Sequence, residues 1–346
     1  MRNWILGFGA TALVATACMA QRGERLSKEC REEITTLCGN DRAAMRECLK
    51  EKRDQLSQGC AAELAKRFEG RGGKKGAADD AMDKRALKGD EYSYGNDPLQ
   101  RLDFHKAAGT KAKAPLVVFV HGGGWKRGDK RTATGSEKAS HYTGLGYHFA
   151  SINYRLVPAA TVEQQAADVA AAIAWLVKDA KRLGIDADRI VLMGHSAGAH
   201  LSALVGTDPQ YLRGAGLDLN LLDGVIPIDG AAYDVPSQMK DGGRMMQDTY
   251  VQAFGTDPAR QKALSPLHHA AGPNAPAFLI LHVEREDGKR QSEALAAALQ
   301  KAGTKVEINA FAGKGLKGHA EINRKLGDPA YPATPVVDRW LQERFR

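Results

Sequence analysis

From residue 92 onward, apolar runs of strand length alternate with longer segments in which apolar residues recur at helical spacing. The strand-like runs are PLVVFVH, YHFASINYRL, DRIVLMG, LDGVIPIDG, AFLILHV and KVEINAFA. The helix-like segments are TVEQQAADVAAAIAWLVKDAKRLG, AGAHLSALVG, RQSEALAAALQKAG and TPVVDRWLQERF. This alternation predicts an α/β domain over residues 92–346, with a mostly parallel, doubly wound sheet. In such domains the chemistry usually lies at the carboxyl ends of the strands.

The N-terminal part has a different pattern, in which two short helical segments precede a polar stretch. LSKECREEITTLCG has helical spacing and stops at Gly39, and a second helix is predicted to start at Asp41, a good N-cap. The pattern therefore predicts a small helical module over residues 21–68. Residues 69–91 are rich in glycine and in charges of both signs, which favours a linker, with a short amphipathic helix as the alternative.

Four cysteines lie in this module, with the spacing C-x7-C-x9-C-x11-C. No CxxC pair or nearby histidine accompanies them, so a disulfide framework is favoured over zinc, and no metal is expected. Four cysteines allow three connectivities. A hairpin that turns near Gly39 favours the nested one, in which Cys38 pairs with Cys48 and Cys30 with Cys60.

The first twenty residues have the pattern of an export signal, with Arg2 before an apolar core and small residues up to a cut after Ala20. Cleavage after Ala17 with a lipid on Cys18 is the alternative, and it is the only membrane attachment that the sequence suggests. A periplasmic or secreted protein is expected. The net charge of +8 comes without interleaved aromatic residues, so no nucleic-acid site is predicted.

Two glycine-containing motifs indicate acyl-transfer chemistry. GHSAG, residues 194–198, lies between a strand-like and a helix-like segment, which is the context of a nucleophile elbow at Ser196. HGGGW, residues 121–125, follows another strand, and its glycines let the backbone approach a reacting group closely. The amides of Gly123, Gly124 and Ala197 are therefore predicted to form an oxyanion hole.

HGGGW, INYRL, GHSAGAHL and LDGVIPIDGAAYDV together resemble the α/β-hydrolase fold. The similarity is to carboxylesterases and kynurenine-formamidase-like enzymes, which are related to hormone-sensitive-lipase-type esterases. This resemblance implies a serine hydrolase without a cofactor that cleaves small-molecule esters. The cysteine-rich segment resembles the repeats of a Golgi sialoglycoprotein family, which implies a module held by disulfides and no activity of its own.

The resemblance also implies a histidine base and a carboxylate late in the chain. His319 fits the base, because it is followed by Ile322 and Asn323 in a glycine-rich loop after the last strand. The acid is expected after AFLILHV, at Asp287 first and at Glu284 or Glu286 otherwise. A further, more distant candidate is Asp229, at the end of GVIPIDG.

Three functions remain open at this stage. A carboxylic ester hydrolase leads, an arylformamidase or amidase of the kynurenine-formamidase kind is the alternative, and a binding protein on a hydrolase scaffold is the third. Residues 231–262 interrupt the alternation of strands and helices, which predicts a cap over the acyl-binding site.

Overall fold

The computed structural model describes residues 26–39, 48–49, 52, 55–57, 59–61, 63–64, 89–109 and 113–346. The chain divides into two compact units, Met1–Ala78 and Asp79–Arg346. The predicted signal peptide, Cys18 and nearly all of the predicted linker lie outside the described residues. No helix in the described ranges has the length and apolar character that a membrane span needs.

In the N-terminal unit, helix α1 covers Lys28–Cys38. It begins where the hydroxyl of Ser27 accepts a hydrogen bond from the amide of Cys30, and it ends at Gly39, where φ is 75°. The predicted stop at Gly39 is confirmed, whereas the predicted cap at Asp41 lies outside the described residues.

Two disulfides close this unit, Cys30–Cys60 and Cys38–Cys48. The nested pairing is therefore confirmed. Their apolar surroundings are small, with Ile34, Leu56 and Leu64 as the buried aliphatic side chains among the described residues. A core of this size gives little stability by itself, so the bridges supply much of what holds the unit together.

The larger unit is built on one eight-stranded sheet with the order β1-β2-β4-β3-β5-β6-β7-β8. The strands are β1 (Asp90–Ser93), β2 (Arg101–His105), β3 (Ala114–Val120), β4 (His148–Ile152), β5 (Ile185–His195), β6 (Leu222–Ile228), β7 (Ala277–Glu284) and β8 (Lys305–Lys314). The first two pairings, β1 with β2 and β2 with β4, are antiparallel, and all the others are parallel. The predicted mostly parallel sheet is confirmed. The hydrophobic pattern does not reveal the edge strand β1 or its neighbour β2, which runs antiparallel to both β1 and β4.

Helices connect these strands. They are α2 (Lys138–Gly144), α3 (Val162–Lys178), α4 (Ala180–Leu183), α5 (Ala197–Thr207), α6 (Pro209–Gly214), α7 (Val235–Asp241), α8 (Arg244–Phe254), α9 (Pro258–Ala263), α10 (Pro266–His269), α11 (Glu286–Lys301), α12 (Gly315–Lys325) and α13 (Ala333–Arg344), with a 3-10 turn at Leu219–Leu221. Helix α3 starts with a complete capping box, in which Thr161 and Gln164 exchange hydrogen bonds. The predicted insertion at 231–262 forms α7 and α8 and the first residues of α9.

Both faces of the sheet are covered, because successive side chains of a strand point to opposite faces. In β3, Leu116 and Val118 belong to one apolar cluster with α3, α5 and α11. Val117 and Phe119 belong to a second cluster with α2, α12 and α13. The continuous apolar run of β3 thus reflects burial on two sides.

Candidate active site

Ser196 occupies the sharp turn between β5 and α5, so the predicted strand–turn–helix is present. Its backbone has φ 58° and ψ −118°, a region that residues other than glycine rarely adopt. The amide of Ser196 donates a hydrogen bond to the carbonyl oxygen of Ile228 at 3.0 Å, which ties the turn to the end of β6. The strained turn lifts the hydroxyl above the carboxyl edge of the sheet.

Gly194 and Gly198 allow α5 to start this close to the sheet. A β-carbon on Gly198 would overlap the carbonyl oxygen of Val120, and one on Gly194 would overlap the carbonyl oxygen of Gly198. The first and last glycines of GHSAG are therefore needed for close packing around the turn.

His319 lies against the hydroxyl of Ser196. The Ser196 hydroxyl donates to Nε2 of His319 at 3.0 Å. His319 lies in the second turn of helix α12, which differs from the glycine-rich loop expected there. The glycines serve packing instead, because a β-carbon on Gly318 would overlap the backbone of Gly313 at the end of β8.

The carboxylate behind the imidazole is Asp229, which corrects the position expected for the acid. Nδ1 of His319 donates to Oδ2 of Asp229 at 2.5 Å. The strand register explains the contact, because His195 pairs with Ile228 and the next residues on the two strands are Ser196 and Asp229. None of the acids considered after the fifth strand-like run, AFLILHV, makes this contact.

The expected acids lie elsewhere in the same region. Asp287 is in the first turn of α11, where its Oδ2 accepts hydrogen bonds from Nη1 of Arg285 at 2.8 Å and from Nε2 of Gln238 at 3.1 Å. Glu284 and Glu286 are exposed. Arg285 stands between Asp287 and Asp229 and bonds to both, so Asp287 is held away from the imidazole.

Asp229 is fully buried and remains ionised because its surroundings favour the charge. Burial by itself would raise the pKa of this carboxyl group. The hydrogen bond from His319, the positive charge of Arg285 and the amide of Val283, which donates at 3.0 Å, together hold its pKa well below the usual range. An ionised carboxylate in this place fixes the imidazole tautomer and stabilises an imidazolium.

The glycine loop after β3 reaches the same site. A β-carbon on Gly122 would lie 2.9 Å from Cβ of Ser196, and Gly123 and Gly124 have φ values of 133° and 61°. His121 holds the loop, since its Nδ1 donates to the carbonyl oxygen of Gly122 at 2.7 Å. Burial lowers the pKa of His121 to about 4, so this histidine is neutral at physiological pH.

The three residues whose amides are expected to form an oxyanion hole line the cleft from two elements. Gly123 and Gly124 belong to the glycine loop, and Ala197 is the first residue of α5. Along the described stretches of chain, no backbone hydrogen bond uses the amides of these three residues. Their donors thus remain unused by the backbone, and the dipole at the start of α5 favours negative charge there.

A cleft of about 1370 Å³ opens over Ser196. The glycine loop, α5 and α12 line one part of it, and residues of the predicted cap line another, among them Ala231, Met246 and Tyr250. The insertion therefore contributes to the walls of the cleft.

Two residues at the site escaped the sequence analysis. His195 is buried, its Nε2 lies 3.0 Å from the carbonyl oxygen of His319, and the two imidazole rings lie 4.5 Å apart. Nε of Arg285 donates to Oδ2 of Asp229 at 3.3 Å. Only their positions in the sequence could have pointed to these two residues, because His195 directly precedes Ser196 and Arg285 directly follows β7.

The parallel sheet, the turn at Ser196 and the contacts of His319 define an α/β-hydrolase fold with a serine–histidine–aspartate arrangement. The BD-FAE family model matches residues 102–299, which is more than half of the chain. The chain therefore belongs to the BD-FAE family.

Curated relatives are similar in sequence to this chain over part of their length. Esterase LipC of Mycobacterium tuberculosis (strain ATCC 25618 / H37Rv) is 33% identical over 204 residues, which cover 56% of this chain and 50% of LipC. The chain thus spans about half the length of this relative.

Solved structures show the same fold. Esterase B from Lactobacillus rhamnosis has a TM-score of 0.62 at 22% identity, over 82% of this chain and 94% of that one. Native esterase 2 from Thermogutta terrifontis has a TM-score of 0.59 at 26% identity, over 74% of this chain and 92% of that one.

Proposed function

We propose that the protein is a carboxylic ester hydrolase in which Ser196 is the nucleophile, His319 the base and Asp229 the acid. The observation that carries this proposal is the continuous hydrogen-bond chain from the Ser196 hydroxyl through His319 to Asp229. The esterases among the relatives and solved structures support the same reaction class.

The reaction proceeds through an acyl-enzyme. Nε2 of His319 takes the proton of the Ser196 hydroxyl while Oγ attacks the ester carbonyl carbon. The amides of Gly123, Gly124 and Ala197 stabilise the oxyanion that forms. The imidazolium then gives its proton to the departing alcohol oxygen. A water molecule then attacks the carbonyl carbon of the acyl group and gives a proton to Nε2 of His319. Oγ of Ser196 leaves as the carboxylic acid is released, and it takes the proton back from His319.

Export of the chain is part of the same proposal. Two disulfides in the N-terminal unit fit an oxidising compartment such as the periplasm or the extracellular space. The segment that would direct export lies outside the described residues, so detection of the mature N-terminus by mass spectrometry is the direct test. A start after Ala20 supports signal cleavage, and a lipid-modified Cys18 supports the lipoprotein alternative.

The substitution Ser196→Ala tests the mechanism. We expect kcat for a 4-nitrophenyl ester to fall roughly 10⁴–10⁶-fold while the protein stays folded. The control is Ser140→Ala on α2, an exposed serine outside the cleft, and it should keep normal turnover. A fluorophosphonate label should attach to Ser196 in the unmodified protein. Normal turnover by folded Ser196→Ala protein would refute the mechanism.

A hydrolysis panel distinguishes the reaction classes. Esters of increasing acyl length and aryl formamides should be compared by kcat/KM under one condition. A strong preference for aryl formamides would assign the protein to the arylformamidase alternative, and absence of any hydrolysis by folded protein would favour a binding role.

A further inference from the structure

The cleft over Ser196 has two walls that we name by their elements. The glycine-loop wall consists of residues 122–135 and helix α12, which are joined by a hydrogen bond of 3.0 Å from Nδ2 of Asn323 to the carbonyl oxygen of Ala133. The cap wall consists of α7, α8 and α11.

Two arginines line the cleft on the side of the cap wall, Arg285 and Arg290, and both have acidic partners. Arg285 contacts Asp229 at 3.3 Å and Asp287 at 2.8 Å. Arg290 contacts Asp241 at 3.0 Å. Since both arginines are paired, neither of them presents unbalanced positive charge to a ligand.

The glycine-loop wall presents positive charge without a partner. Lys126, Arg127 and Arg324 line the cleft from this wall. Over the residues that the structure describes, none of the three makes an ion pair or a side-chain hydrogen bond, whereas Lys130 and Arg131 in the same loop both pair with Glu91.

The glycine-loop wall contains two carboxylates, Asp129 and Glu321, and each contacts another side chain. Asp129 accepts a hydrogen bond of 2.8 Å from Nδ2 of Asn153, and Glu321 pairs with Lys325 at 2.9 Å. Neither of these acids lines the cleft. The charge of Arg324 also acts on Glu321, and no carboxylate of the glycine-loop wall lines the cleft itself.

We propose that the physiological substrate is an ester that carries a carboxylate, and that Lys126, Arg127 and Arg324 bind this group. This inference rests on the proposed ester hydrolase function and adds the class of substrate. Arginine and lysine hold carboxylates through charge-assisted hydrogen bonds, and a cluster of like charge at the mouth of a cleft concentrates ligands of the opposite charge.

The test compares two aryl acetates of the same shape, 4-acetoxybenzoate and 4-acetoxybenzamide. The variant is Arg127→Gln/Arg324→Gln, and the matched control is Arg213→Gln, an exposed arginine on α6 that does not line the cleft. The measured quantity is the ratio of kcat/KM for the benzoate to that for the benzamide. Differences in intrinsic reactivity cancel when this ratio is compared between proteins.

We expect the double variant to lower the ratio about five- to tenfold, because each exposed charge pair has a modest effect. Arg213→Gln should leave it unchanged, and 0.5 M NaCl should reduce it in the unmodified protein. Binding of intact 4-acetoxybenzoate to the Ser196→Ala protein should weaken by a similar factor when the two arginines are replaced.

Two results would overturn the proposal in distinguishable ways. Hydrolysis of both acetates with an unchanged ratio in the double variant would refute the carboxylate site and leave the esterase function intact. Failure of the folded, unmodified protein to hydrolyse either acetate or any ester of the panel would refute the esterase function, and the substrate class would fall with it.

Discussion

Two carboxylates lie within reach of Arg285, and only Asp229 contacts the imidazole of His319. The two side chains provide a matched pair for mutation, since both bond to the same arginine. Asp229 holds the tautomer of the base, whereas Asp287 contacts Arg285 and Gln238 and is not in contact with the reacting groups.

We predict that Asp229→Asn lowers kcat by about 10⁴-fold, because an amide in this place favours the wrong tautomer of His319. Asp287→Asn should lower kcat less than tenfold. Steady-state kinetics with a 4-nitrophenyl ester at neutral pH measure both effects. A larger loss of kcat for Asp287→Asn would show that Asp287 is the acid, as the sequence analysis expects.

The sequence contained Asp229 as a candidate but could not rank it first. The choice depends on which strands are neighbours, since Asp229 and Ser196 follow residues that are paired in register. Hydrophobic patterns give the positions of strands along the chain and leave their order in the sheet open. Ser196 was easier to find, because its motif is local and requires only one strand and one helix.

At the scale of single elements, α12 carries the base and is anchored to α2. The ammonium group of Lys138, which is fully buried, donates to the carbonyl oxygen of Thr134 at 2.7 Å and to Oδ1 of Asn323 at 3.0 Å. It also contacts the backbone carbonyl oxygen of Asn323. Lys138 therefore connects α12, the helix that carries His319, to α2 and to Thr134 in the segment before α2.

We predict that this lysine makes stability depend on pH. Burial lowers the pKa of Lys138 from 10.5 to about 7. Between about pH 7 and pH 10.5 the unfolded chain binds a proton at this site that the folded protein does not, so the free energy of unfolding rises with pH. The slope from this group is at most about 1.4 kcal/mol per pH unit.

The comparison protein for this prediction is Lys138→Met, which lacks the titrating group. Urea unfolding at pH 7 and pH 9 measures the free energy of unfolding of both proteins. From pH 7 to pH 9 this free energy should increase more for the unmodified protein than for the variant. A difference between the two proteins that stays constant over this range would contradict the prediction.

We predict that Gly198→Ala prevents stable folding or costs more than about 4 kcal/mol, because its β-carbon would overlap the carbonyl oxygen of Val120. The control is Gly214→Ala at the end of α6, where nothing lies within 4 Å of the added carbon and the change should be neutral or slightly stabilising. Thermal unfolding followed by circular dichroism distinguishes them. Equal melting temperatures for the two variants would show that α5 can shift away from β3.

Six of the eight strands that the structure describes in the larger unit could be located from the sequence, and the elements that it does not reveal have different reasons. The central strands are buried on both faces and appear as continuous apolar runs. The edge strand β1 and its neighbour β2 contain charged residues such as Asp90 and Arg101, and neither the pairing of β1 with β2 nor that of β2 with β4 is encoded locally. The sequence predicts a loop where α12 lies, because Gly315 and Gly318 weaken the helical pattern, although close packing against Gly313 requires Gly318.

At the scale of the whole molecule, the chain combines a unit held by disulfides with a catalytic unit that contains no cysteine. All five cysteines precede residue 61, and Ser196, His319 and Asp229 belong to the unit Asp79–Arg346. In the N-terminal unit, the described residues around Cys30 and Cys60 form an apolar cluster of their own.

We predict that reduction of both disulfides leaves ester hydrolysis unchanged within about twofold, since the catalytic unit buries a large apolar core of its own. Reduction should instead unfold the N-terminal unit, where a bridge that closes a loop of about eleven residues contributes roughly 3 kcal/mol. Activity and protease digestion should be measured together, with and without dithiothreitol. The variant Cys30→Ser/Cys60→Ser serves as a control that needs no reductant. Cleavage confined to residues before 79 with full activity is the expected result, and a parallel loss of activity would show that the catalytic unit depends on the bridged one.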